Sequence, residues 1–316
     1  VDVGHARPQE APGRGARAAR EAAGAGMTVL DFVNFHIVPG LVLGSVYALG
    51  AIGVTLVFGV MRFAHLAHGD LSTFGAFLAL AAVWLTGLDP MVGLPVAMAG
   101  GAAAAVGVDR LFYEHLRKRP LILTVIASLG VALMLRSIVQ VVFGVDSMSY
   151  ARGIVRPDDY FGVRLRDREL ATFAVTLALV IGLQLFLKRT RWGKAMRAMS
   201  DNPDLARLSG VDTRVVTALT WGIVGALAAA AGFFLGLNTE LRSMMGWQIL
   251  LPVFAGAILG GVGRVEGALL GGLLIGVIEE TSVILIPPQY KSALAFAILL
   301  GVLAARPTGL LRGKVL

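Results

Sequence analysis

The chain predicts an all-α fold, a polytopic transmembrane helical bundle. Three observations lead there. Hydrophobic residues make up 56% of the 316 positions and charged residues only 15%, the mean hydropathy is +0.77, and apolar runs recur at close to the roughly 20 residues that cross a bilayer. Soluble domains average about 45–50% apolar and about 25% charged. The runs fall at 33–60, 70–86, 91–108, 121–143, 170–187, 214–236, 248–262, 266–286 and 291–305, which predicts about 8–9 spans. Because the first run is longer than one crossing needs, it is expected to tilt or to contain a re-entrant part.

Each stretch has its own reason. Residues 1–26 are rich in Ala, Gly, Arg and Pro and lack a signal-peptide core. They are expected to be a disordered extension, with Met27 the more natural start and 27–316 forming one transmembrane domain. Arginine and lysine cluster in 109–120, in the tail and above all in the loop 188–214, which holds seven basic and three acidic residues. All three are expected on the cytoplasmic side. Segment 144–169 balances five arginines with five acids and suits the outer side. Alternation then puts 61–69 inside and Met27 outside, in tension with the four arginines of the first 26 residues. Glycine pairs four apart (40/44, 256/260, 267/271, 272/276) predict close helix packing.

Absences narrow the chemistry. Without cysteine there is no disulfide, thiolate metal site or cysteine nucleophile. The net charge of +8 is accounted for by cytoplasmic loops, so no nucleic-acid partner is expected; the partner surface is membrane lipid. No phosphate-cradling G-x-x-x-x-G-K-[ST], H-E-x-x-H or G-x-S-x-G motif occurs. The chain therefore reads as a transporter subunit and not an enzyme, with no cofactor and no metal.

Polar residues inside apolar surroundings are the candidate sites. In "VMRFAHLAHGDLSTFG" (60–75) Asp70 reads as the N-cap of a helix beginning after it. His68 and Asp70 facing a pore, or His65, His68 and Asp70 forming a metal site, are the other readings. Glu279 and Glu280 lie in an apolar run where a carboxylate is costly. They face a pathway, at most one of them directly, or mark a helix end near the outer interface. "GKAMRAMSDNPDLARLSGVDTR" reads as a short helix, a break at Asp-Asn-Pro with Pro203 at a first helical position, and a further turn ending at Gly210.

These stretches also carry a resemblance. "GKAMRAMSDNPDLARLSGV" resembles the cytoplasmic coupling segment of permease subunits of branched-chain amino acid ABC importers, the H-type subunit. "GSVYALGAIGVTLVFGVMRFAHLAHGDLSTFGAF" resembles the family's first helix and its Asn-Phe-Ala-His-Gly-Asp/Glu motif, with His65 and Leu66 where the family has Asn-Phe. "AGAILGGVGRVEGALLGGLLIGVIEE" and the terminal "RPTGL" are similar to its late segments. The resemblance implies an inner-membrane importer in which a second permease subunit, usually an M-type paralogue, joins two ATP-binding cassette subunits and an external substrate-binding protein. It further implies that Gly193, Ala195, Arg197, Asn202, Pro203, Ala206 and Gly210 form the ATPase-coupling segment. Its members handle branched-chain or other amino acids, amides or urea. The alternative is an ion-coupled secondary transporter or channel, with Asp70, Glu279 or Glu280 binding the coupling ion.

Overall fold

The computed structural model describes residues 29–150, 157–160, 162–305 and 309–311. The expected disordered extension 1–26 and the first residues of the terminal "RPTGL" lie outside them. Six helices are long and apolar enough to cross a membrane: α1 (Val29–Met61), α2 (His68–Thr86), α3 (Pro90–Leu116), α4 (Leu121–Phe143), α5 (Asp167–Arg189) and α8 (Thr213–Asn238). Between α5 and α8 lie the amphipathic α6 (Arg191–Asp201) and the short α7 (Pro203–Leu208). Three further apolar helices follow: α9 (Met245–Gly260), α10 (Val265–Ser282) and α11 (Lys291–Ala305). Each of the nine apolar runs is thus a helix among the described residues. At 16 residues α9 spans about 24 Å, less than the roughly 30 Å hydrocarbon core.

Local chemistry sets most boundaries. Asp212 caps α8 by accepting from the amides of Arg214 and Val215. Glu169 closes the first turn of α5 by accepting from the Arg166 amide. Gly87, with φ of +65°, ends α2. A small antiparallel hairpin, β1 (Asp158–Tyr160) and β2 (Val163–Leu165), precedes α5 and is held to α1 by Asn34, which bonds the Gly162 carbonyl and the Arg164 amide. One expected boundary is corrected: the helix read from the run 91–108 does not end at 108. Helix α3 continues through a π turn at Asp109–Tyr113 to Leu116, because Arg117 neutralises the buried Asp109 at 2.6 and 2.5 Å.

Linkers 62–67, 117–120, 190–212 and 261–264 gather at one end of the bundle. Arg62 reaches the α6 C-terminus there, and Lys188 pairs with Glu266 at 3.1 Å. Residues 144–150, 157–160 and 162–166, together with 239–244 and 283–290, gather at the other, where Met148 and Leu241 form a β-bridge and Lys291 meets Glu280.

The helices pair according to an internal inverted repeat. Helix α1 packs on α10 as α8 packs on α3, α2 packs on α4 as α9 packs on α11, and α1 meets α8 as α2 meets α9. Each helix of α1–α4 has its counterpart in α8–α11 an odd number of spans later, so the second set runs opposite to the first, as in transporters with inverted-topology repeats. At the centre Gly69 and Gly246, each the second residue of its helix, lie against each other's carbonyl oxygens, leaving no room for a Cβ. All four glycine pairs read from the sequence sit at such crossings: Gly40 and Gly44 against α10, Gly272 and Gly276 against α1, Gly256 and Gly260 against Gly271 and Gly267. In lipid, where apolar burial no longer drives association, this backbone approach holds the bundle together.

Replacing Gly276 by Val would drive a side chain into the Gly44 backbone. A destabilisation of about 1–3 kcal/mol is expected, read as a lower unfolding midpoint in detergent. Gly130→Ala, where nothing lies within 4 Å of the added carbon, is expected to leave the midpoint unchanged or raise it.

Candidate functional site

Helix α1 ends at Arg62, the one non-glycine residue with positive φ (+62°) among the described residues. Its amide bonds the Val57 and Phe58 carbonyls, and its guanidinium donates to the Ser200 and Asp201 carbonyls at 3.4 and 3.3 Å, capping α6. From this corner the chain folds back into the bundle. The Leu66 amide bonds Ser128 Oγ on α4 at 3.1 Å, and the His65 Nε2 meets the Tyr113 hydroxyl at 3.0 Å. Phe63, His65, Tyr113 and Trp221 form one aromatic cluster, with the His65 and Trp221 rings 4.9 Å apart. His68 lies beneath it, its ring against Gly53 of α1.

Asp70 is not the N-cap that its surroundings suggested. Helix α2 starts at His68 with Ala67 as N-cap and no capping side chain. The Asp70 carboxylate, with no exposed surface, takes a bidentate ion pair from Arg136 of α4 at 2.8 and 2.9 Å. The guanidinium in turn stands 5.1 Å from the Trp247 ring centre on α9. One turn further along α4, Gln140 donates to Ser243 at 3.2 Å, and Thr73 accepts from the Gly246 amide at 3.0 Å. The starts of α2 and α9 are therefore joined to α4 by one polar network around a fork-shaped cation. No trio of His, Cys, Asp or Glu among the described residues is placed to hold a metal.

Glu279 and Glu280 occupy the last turn of α10, so the helix-end reading describes their position. Glu279 is buried and accepts from the Tyr47 hydroxyl at 2.7 Å. Glu280 pairs with Lys291 at 2.6 Å, its carbonyl meets His36, and it borders a cavity of about 480 Å³ between α1, the hairpin and α8. As expected for neighbours on a helix, the two point to different surroundings.

The segment 188–214 has the form read from its cap residues. The Thr190 hydroxyl accepts from the Gly193 amide at 3.0 Å and starts α6. Asn202 accepts from the amides of Asp204 and Leu205, Pro203 opens α7, and Gly210 turns with φ of +82°. Of the seven residues singled out, Gly193 is pressed on the backbone of Phe186 and Leu187, Ala206 is buried, and Arg197 bonds the Leu187 carbonyl. These shape the segment. Arg197, Asn202 and Gly210 are also exposed, and the apolar part of the outward face is made by residues the sequence did not single out: Trp192, Leu205 (60% exposed) and Leu208 (85% exposed). On the inner side, Met199, Pro203 and Arg207 line a cleft of about 230 Å³ with Phe63, Tyr113 and Trp221. The aromatic cluster thus lies between this segment and the start of α2.

Residues 36–303 match the family described as branched-chain amino acid transport system / permease component. The chain belongs to this family. It is 33% identical over 292 residues to the high-affinity branched-chain amino acid transport system permease protein BraD of Pseudomonas aeruginosa, covering 87% of this chain and 94% of that one. Identity to LivH of Escherichia coli, with the same description, is 32% over 286 residues, 86% of this chain and 93% of the relative. To the probable branched-chain amino acid transport permease protein LivH of Methanocaldococcus jannaschii it is 29% over 246 residues, 76% and 78% of the two chains. The protein is accordingly a multi-pass membrane permease component.

Removing Arg136 would leave the Asp70 charge buried and alone. Arg136→Ala is expected to cost about 3–5 kcal/mol, and Asp70→Ala/Arg136→Ala to cost less than the sum of the single changes. Unfolding midpoints of the four proteins in detergent measure this coupling.

Proposed function

We propose that this chain is one of two permease subunits of an ABC importer for branched-chain amino acids in the cell inner membrane. Two ATP-binding cassette subunits power it from the cytoplasm, and an external binding protein delivers the substrate. The observation that carries this reading is the capped α6–α7 segment. It presents Trp192, Leu205 and Leu208 to the surroundings, on a chain that has no phosphate-binding motif of its own. Exposed apolar side chains on an ordered, basic segment outside the membrane are a surface for a partner. The substrate class rests on the transport described for the relatives BraD and LivH. The excess of Arg and Lys at the end bearing this segment supports a cytoplasmic position for it.

In this reading, closure of the ATPases displaces α6–α7, and the displacement has two routes into the bundle. One runs through the Arg62 guanidinium on the α6 C-terminus, the other through Met199 and Pro203 onto the aromatic cluster that seats His65. Both reach the start of α2, where the network of Asp70, Arg136 and Trp247 joins α2, α4 and α9. ATP binding changes transport only by favouring one arrangement of these helices over another.

Substrate passes along the face of α4 and α9 toward the second permease subunit. Ser137 and Gln248 are exposed there beside Arg136 and Trp247, and exposed polar groups at membrane depth belong next to protein or water and not acyl chains. His68, Asp70 and Glu279 then support the pathway from within, and Glu280 borders the outer cavity. Ion coupling is disfavoured because Asp70, Glu279 and Glu280 already have the partners Arg136, Tyr47 and Lys291.

Leu205→Asp/Leu208→Asp is expected to abolish co-purification of the ATPase subunits and to reduce leucine uptake at least tenfold while the chain still inserts. Undiminished co-purification would refute the docking role. A cysteine at Ser137 or Gln248 is expected to react with a charged thiol reagent in membranes, and transported substrate is expected to slow that reaction; labelling at neither position would remove the pathway from this face.

A further inference from the structure

Beside the coupling segment, a groove of about 760 Å³ opens between the end of α3 and the start of α8. Its mouth carries three arginines and two acids. Arg117 is spent on Asp109, held at 2.6 and 2.5 Å. Arg110 and Arg214 are exposed, and no ion pair or hydrogen bond engages either guanidinium among the described residues. Glu114 completes the rim. Below the mouth the groove is apolar and floored by small residues, Ala218, Gly222 and Ala226, one turn apart on α8. At Gly222 an added carbon would find only Val106, 4.0 Å away. From Arg214 to Ala226 the α8 wall is about 18 Å long, close to the reach of one acyl chain.

Two unpaired guanidinium groups above an apolar groove running along α8 fit an amphiphile with an anionic head. We infer that this groove is a binding site for an anionic glycerophospholipid of the same leaflet, its phosphodiester between Arg110 and Arg214 and one acyl chain along Ala218, Gly222 and Ala226. Two features make the head anionic and not zwitterionic. The rim keeps one positive charge in excess after the Arg117–Asp109 pair and Glu114 are set against the arginines, and basic pockets between transmembrane helices at a membrane surface recognise anionic headgroups. The acyl channel separates this site from one for free phosphate, which has nothing to place on α8. The site does not depend on the identity of the transported solute. It touches α8 directly after the coupling segment, so an occupant braces the hinge between that segment and the bundle.

The test uses the transporter purified with its native partners and placed in nanodiscs of phosphatidylcholine doped with phosphatidylglycerol. Native mass spectrometry is expected to show a phosphatidylglycerol molecule that survives exchange against phosphatidylcholine. Arg110→Gln and Arg214→Gln should each weaken its retention about 5-fold, and the double variant about 30-fold. Unfolding midpoints of the variants in lipid-free detergent are expected to match the parent, which separates lost lipid from lost fold. Equal retention of the two lipids, or retention unchanged in the double variant, would overturn the site. So would stronger retention of phosphatidylethanolamine that disappears in Glu114→Gln, because the recognised head would then be zwitterionic. A photo-crosslinker at Ala218 is expected to capture lipid; capture of a partner subunit would also overturn it.

Discussion

Backbone contact between helices is the constraint on which the rest of this bundle depends. At the Gly69/Gly246 crossing two helix starts share space that a single methyl group would fill. Because α2 and α9 meet there, Thr73 can receive the Gly246 amide and Trp247 can lie beside Arg136. The same principle repeats outward through Gly44 and Gly276 on one side and Gly101 and Gly225 on the other. Hydrophobic side chains alone would not favour this arrangement over any other in a hydrocarbon solvent, whereas close dispersion contact and shared carbonyls do.

Charge inside the bundle follows a different logic. The Asp70–Arg136 pair is costly to desolvate, and its return comes from two-point geometry and from the ring of Trp247. Its contribution is best understood as specification, since it fixes how far α4 stands from the start of α2. Tyr47 on Glu279 and Lys291 on Glu280 do the same for α10 against α1 and α11. Asp70, Glu279 and Glu280 are each tied to a residue on another helix, so helix displacement has to carry these pairs along or break them.

What could be read from the sequence was local. Apolar runs located every long helix, glycine spacing located their crossings, and Asn202-Pro203 located the break in the coupling segment through its own cap. What could not be read lay far along the chain: Arg136 is 66 residues from Asp70, and Glu279 is 232 residues from Tyr47. Asp70 suggested an N-cap because a carboxylate near a helix start usually serves one, but a cation from α4 offered it a stronger partner. The run ending at Val108 stopped short of the helix for a similar reason, since nothing local showed that Arg117 would neutralise Asp109. Small residues in the coupling segment proved to shape it, while ordinary leucines and a tryptophan face outward. Inversion of the two halves leaves almost no trace in one sequence, because the equivalent glycines sit among the 40 that the chain contains.

The shared crossing of α2 and α9 has a mechanical corollary. From that point α2 runs toward one surface of the bilayer and α9 toward the other, so the two resemble the arms of a balance resting on a common pivot. Tilting the pair as a unit widens the gap beside one arm and narrows the gap beside the other. A leak open to both sides at once would require the arms to part company at their glycines.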